Sequence, residues 1–119
     1  MDDKTLRSIL AVGETIAVEF KRCGNKLEND VYETVCSFLN RFGGDLFLGV
    51  MDNGTVSGIS EKSAPELIKN FISCISNPAL FAPTIYLAPE ILKYEGRTII
   101  HDILRQSLVQ SETDLICRN

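Results

Sequence analysis

The chain has 119 residues and a formal net charge of −4, from 16 acidic and 12 basic side chains. This length supports one domain with one hydrophobic core, without metal or disulfide staples. The acidic excess argues against a broad phosphate-binding surface, because such affinity rests on Lys and Arg displacing counterions. No apolar run approaches the roughly 20 residues needed to cross a bilayer. The opening MDDKTLRSIL lacks the basic-then-apolar layout of a signal peptide, so a cytoplasmic protein with no membrane partner is expected.

In chain order, Leu6, Ile9 and Leu10 fall at helical spacing, with Asp2 or Asp3 near a helix start and Gly13 as a stop. Thr15–Lys21 then alternates strictly. Ile16, Val18 and Phe20 share one face while Ala17, Glu19 and Lys21 share the other, the pattern of a half-buried strand. A polar turn through Gly24 and Asn25 leads to a helix expected over Asp30–Phe42. Asp30 and Glu33 there read as a capping box, and Val31, Val35, Phe38, Leu39 and Phe42 as the buried face. Gly43-Gly44 ends it.

The nearly continuous apolar run Asp45–Met51 predicts a central strand. Asp52-Asn53-Gly54 predicts a type I′ hairpin turn, returning through a short strand at Thr55–Ile59. Ser63-Ala-Pro-Glu66 reads as a second capping box, followed by a helix with Leu67, Ile68, Phe71, Ile72 and Ile75 inward. Pro83–Tyr94 is expected to be extended, with Pro89 marking an edge or a bulge. A turn at Gly96-Arg97 joins it to an antiparallel strand Thr98–Leu104. Leu115-Ile116-Cys117 reads as a last short strand. The order (α)βαββαββ predicts an α+β two-layer sandwich, a mixed sheet with two main helices largely on one face and its first two strands parallel.

Cys23, Cys36, Cys74 and Cys117 form no CxxC pair, and the single His101 stands apart from them, which excludes a zinc knuckle. Cys36 and Cys74 are expected as small core residues and the thiols as free. No phosphate-binding glycine loop is present, and His101 on a strand reads as a satisfied sheet histidine rather than a catalyst. The acidic side chains Glu14, Glu19 and Asp52 form a candidate catalytic trio. If the first two strands are neighbours, these carboxylates converge and can hold Mg²⁺ or Mn²⁺ to activate water at a phosphodiester. On the residues alone, a solvated strand face and a turn-forming aspartate is the commoner reading. Lys21, Arg22 and Lys26, with Arg41 at the helix end and Lys93 and Arg97 by the late hairpin, form modest basic clusters. The first three are candidate phosphate contacts, with a solvated surface as the alternative.

The segments GETIAVEFKR and FLNRFGGDLFLGVMDNGTVSG resemble the Schlafen-type AlbA_2 (Alba-2) domain family. The resemblance rests on Gly13, Glu14, Thr15, Glu19, Phe20, Lys21, Ser37, Phe38, Asn40, Gly43, Gly44, Gly49, Val50, Asp52, Gly54 and Gly58. It implies an Alba-like fold and a DNA-binding domain of a bacterial transcriptional regulator, dimerising and bound to DNA or RNA. Lys21, Arg22, Lys26 and Arg41 are the nucleic-acid contacts assigned to that reading. Eukaryotic Schlafen relatives use three carboxylates as a metal-dependent RNase, and by position Glu14, Glu19 and Asp52 match them. The alternatives are thus an Mg²⁺- or Mn²⁺-dependent endoribonuclease, or an interaction and dimerisation domain without nucleic acid. The whole chain, residues 1–119, is expected to be one domain, the N-terminal part of a longer protein.

Overall fold

The computed structural model describes residues 1–24, 26–79, 81–82, 87–105 and 116–117, with 81–82 and 116–117 described by backbone alone. The elements are α1 (Asp3–Val12), β1 (Val18–Lys21), α2 (Asn29–Leu39), β2 (Gly44–Leu48) and α3 (Ala64–Ile75). They continue as β3 (Phe81–Ala82), β4 (Glu90–Tyr94), β5 (Arg97–Leu104) and β6 (Ile116–Cys117). Four strands form one mixed sheet in the order β1-β2-β5-β4, while β3 and β6 pair separately. β1 and β2 are parallel, as expected for strands joined through a helix; β5 is antiparallel to both β2 and β4.

Strand alternation divides the sheet between two cores. Leu46 and Leu48 of β2 and Ile100 and Leu104 of β5 face α2 and α3, where Val35, Phe38, Leu67 and Phe71 close over them. Phe20, Phe47 and Ile99 point the other way, against Leu6 and Leu10 of α1. The two-layer expectation is therefore corrected. α1 covers the second face, because its Leu6/Leu10 stripe needs an apolar partner and that face offers three aromatic or branched side chains. The result is a mixed four-stranded sheet with three helices. No helix among the described residues is long and apolar enough to cross a membrane.

Several local expectations shift. Asp2 caps α1, its carboxylate accepting from the Thr5 N–H at 2.7 Å. α2 begins one residue earlier than expected, with Glu28 at its N-cap and no side-chain cap, so the Asp30–Glu33 box does not form. It stops at Leu39, and Phe42, expected on the buried face, lies past the last turn and is 85% exposed. Gly43 ends the turn with φ +80, its N–H on the Phe38 carbonyl at 2.7 Å; a Cβ there would collide with the Leu104 carbonyl.

The expected return strand Thr55–Ile59 is reduced to single bridges, Val50 to Val56 and Ile59 to Thr98. Of Asn53-Gly54, Gly54 alone has positive φ, so the turn is not type I′. The paired positive φ angles occur instead at Glu95-Gly96, between β4 and β5. Cys23 and Cys74 are free thiols, but Cys36 is disulfide-bonded, correcting its assignment as a free core cysteine. The expected extension over residues 83–86 and Leu115 of the last strand fall outside the described residues.

Candidate functional site

Glu14 lies just past the glycine that ends α1, and its side chain reaches back over the 15–18 turn. Its Oε2 accepts from the Phe20 N–H at 3.0 Å. β1 is an edge strand whose Glu19 and Lys21 side of the backbone pairs with β2, so the Phe20 amide points outward and would otherwise lack a protein partner. Glu14 thus closes the sheet edge.

Glu19 lies beside it. Burial raises the Glu19 pKa, and a hydrogen bond and charge from Glu14 raise it further against the opposing pull of Lys21. Lys21 Nζ lies 3.4 Å from Glu19 Oε1 and 2.9 Å from Asp30 Oδ2. Burial alone would lower its pKa, yet Asp30 and Glu19 together raise it, so this lysine is committed to internal pairs.

Asp52 sits elsewhere, on the exposed turn after β2. It lines a cleft of about 570 Å³ with Lys21, Arg22, Glu28 and Asp30. The structure therefore brings Glu14 and Glu19 together, while Asp52 lines the cleft with Lys21 and Arg22. Among the described residues no three His, Cys, Asp or Glu side chains are grouped to hold a metal ion. A shared Mg²⁺ or Mn²⁺ on the three expected carboxylates does not fit this arrangement.

The expected nucleic-acid contacts divide likewise. Arg22 is exposed on the cleft rim and Lys26 is exposed just beyond β1. Arg41 is at the far end of α2, about 16 Å away by helix rise. There its guanidinium donates to Ser37 Oγ at 2.7 Å and lies over the Phe38 ring.

The partners of His101, and Asp102 beside it, escaped the sequence reading. His101 on β5 is only 2% exposed. Its Nε2 lies 2.7 Å from Asp45 Oδ1 on β2 and its Nδ1 3.0 Å from Glu90 Oε1 on β4, and its ring stacks on Phe47. Burial lowers its pKa, but the two carboxylates outweigh burial and raise it. This ring ties three strands together, consistent with the satisfied-sheet reading. Its neighbour Asp102 points into the other core, 1% exposed, with neither carboxyl oxygen hydrogen-bonded. Burial pushes its pKa up to about 7, against the charge of His101 and the Ile103 amide. The alternation Ile100-His101-Asp102-Ile103-Leu104 was the available signal, since it places Asp102 in register with two core residues.

A mixed β-sheet with helices on both faces, its first two strands parallel and its glycine-rich helix end fixed by close approach, defines an α+β domain. The chain belongs to the Schlafen, AlbA_2 family, which it matches over residues 14–112. Among solved structures it is similar to the N-terminal domain of a protein from Nitrosomonas europaea named for its relation to the ATP-dependent DNA helicase RecG. That likeness has a TM-score of 0.67 at 23% identity, over 87% of this chain and 72% of the other. The DIP2311 protein from Corynebacterium diphtheriae is also similar, with a TM-score of 0.56 at 13% identity, over 97% of this chain but only 23% of that one. These likenesses are of fold. No curated protein matches the sequence.

Proposed function

We propose that this chain is a nucleic-acid-binding domain, with DNA as the first candidate, serving a cytoplasmic bacterial transcriptional regulator. The observation that carries the reading is family membership across residues 14–112. The resemblance in fold to a domain of a RecG-related protein supports it, as do the exposed Arg22 and Lys26 beside β1. A homodimer belongs to the same proposal, and the β4 edge of the sheet offers backbone groups to a second copy. Fluorescence anisotropy with labelled DNA at about 50 mM salt tests the reading: binding that falls steeply as salt rises supports it, and no binding sinks it. Metal-dependent cleavage is the weaker reading, because Glu14 holds the Phe20 amide and no three His, Cys, Asp or Glu side chains among the described residues group to hold a metal ion.

A further inference from the structure

A cleft of about 490 Å³ opens between α1, the turn after β2 and the β4–β5 hairpin, a volume within the range of small-ligand sites. Arg7 of α1 and Arg97 at the start of β5 line it, with Tyr94 between them. Both arginines are exposed, and neither has a carboxylate at ion-pair distance among the described residues. Tyr94 shares the cleft lining with Arg7 and raises the Arg7 pKa, and its hydroxyl carries a proton that a ligand oxygen can accept. Arg97 Nη1 makes only a long bond, 3.4 Å, to the Ser57 carbonyl, so its remaining donors are available.

The charge balance separates this cleft from the one expected to bind phosphate. The Asp52 cleft sets Lys21 and Arg22 against Glu28, Asp30 and Asp52, and Lys21 is already paired. The Arg7 cleft sets two guanidiniums against one carboxylate, Glu95. The last turn of α1 adds partial negative charge, on the order of half an electron, which two full positive charges outweigh. Gly54 forms the shared geometry. With φ +88 it lets the turn settle against α1, where a Cβ would lie 2.6 Å from the Leu10 carbonyl oxygen. Asp52 and Asn53 of this turn face one cleft, Gly54 and Thr55 the other.

We infer that the Arg7/Tyr94/Arg97 cleft holds a phosphate of a nucleic-acid backbone. The inference rests on the nucleic-acid-binding reading and moves its anion contact from Lys21 and Arg22 to the far side of the turn. Guanidinium forks suit a phosphodiester better than a lysine does, because two parallel N–H groups meet two oxygens.

The test is anisotropy with a labelled oligonucleotide on wild type, Arg7→Ala, Arg97→Ala, Tyr94→Phe, Arg22→Ala and, as a distant control on α3, Lys69→Ala. Each titration is repeated across salt, and thermal melts confirm folding. Arg7→Ala and Arg97→Ala are expected to weaken binding about fivefold or more and to lower the salt slope by about 1 each. Tyr94→Phe, which keeps the ring, weakens it less, and Lys69→Ala leaves it unchanged. Wild-type binding that survives both arginine substitutions but falls in Arg22→Ala overturns the cleft and leaves the proposed function standing. Failure of wild type to bind any oligonucleotide overturns both. Pyrophosphate displacing the oligonucleotide far beyond chloride of equal ionic strength overturns the backbone as ligand in favour of a free phosphate.

Discussion

His101 and Asp102 are adjacent on β5 yet point into different layers of the molecule. The histidine finds Asp45 and Glu90, 2.7 and 3.0 Å away, and against the effect of burial they raise its pKa. The aspartate lies among Leu67, Phe71 and Pro89, and among the described residues neither carboxyl oxygen is within hydrogen-bonding geometry of a donor. A buried carboxyl without donors is stable only when neutral, so its folded pKa of about 7 stands above its ordinary 3.8. The sign follows: this group costs nothing below the unfolded value, and stability is lost as pH rises from about 3.8 to about 7. The full loss is about 4 kcal/mol. Asp102→Asn, which cannot ionise, is therefore expected to raise Tm at pH 8 and to change it little at pH 4. Differential scanning fluorimetry at both pH values checks this; an equal shift at the two would show that ionisation of Asp102 is not the cause. Glu14 illustrates a different residue-scale outcome, since its position in the family pattern was legible while its bond to the Phe20 amide was not.

At the scale of elements, the amphipathic stripes of α1, α2 and α3 and the parallel pairing of β1 and β2 were readable from periodicity alone. Element ends were less so. α2 was expected to run to Phe42, because Phe42 continues the apolar spacing; the chain leaves the helix earlier so that Gly43 can pass beneath the end of β5. Likewise Asn53-Gly54 carries hairpin chemistry, but Gly54 is placed by its packing against α1 rather than by a returning strand. The cysteines were read from spacing, which carries no information about approach in space. Cys36 on α2 is disulfide-bonded, while Cys23 and Cys74 are free. Thiol titration of the denatured chain is expected to find fewer reactive groups without reductant than the four cysteines found after reduction. Four from the outset would remove the disulfide.

For the whole molecule, the titrations combine into a stability profile. The raised pKa of His101 means its contribution is complete below the unfolded value of 6.5 and is lost as pH climbs through the folded one. Glu90 runs oppositely: the hydrogen bond and charge of His101 lower its pKa, so its contribution is present above 4.5 and lost as pH falls. Asp102 and Glu19, both raised, add to the loss on the alkaline side. Thermal stability is expected to be highest in a window of about pH 4 to 5, above the Glu90 loss and before most of the Asp102 and Glu19 losses, and the His101→Gln variant to show a flatter profile. Dilute protein is needed for the measurement, because the window includes the pI of about 4.9. A wild-type maximum at pH 8 would contradict the arrangement around β5.

What the sequence determined by itself was the set of elements, their apolar faces and the family signature, because each depends on residues within a turn or two of one another. Tertiary structure decided what lay between elements. It set α1 on the second face of the sheet, Asp52 in the cleft beside Arg22, and Arg7 beside Arg97 across 90 positions of chain. Local spacing records which side a residue faces; only the packing of distant segments determines what it meets there.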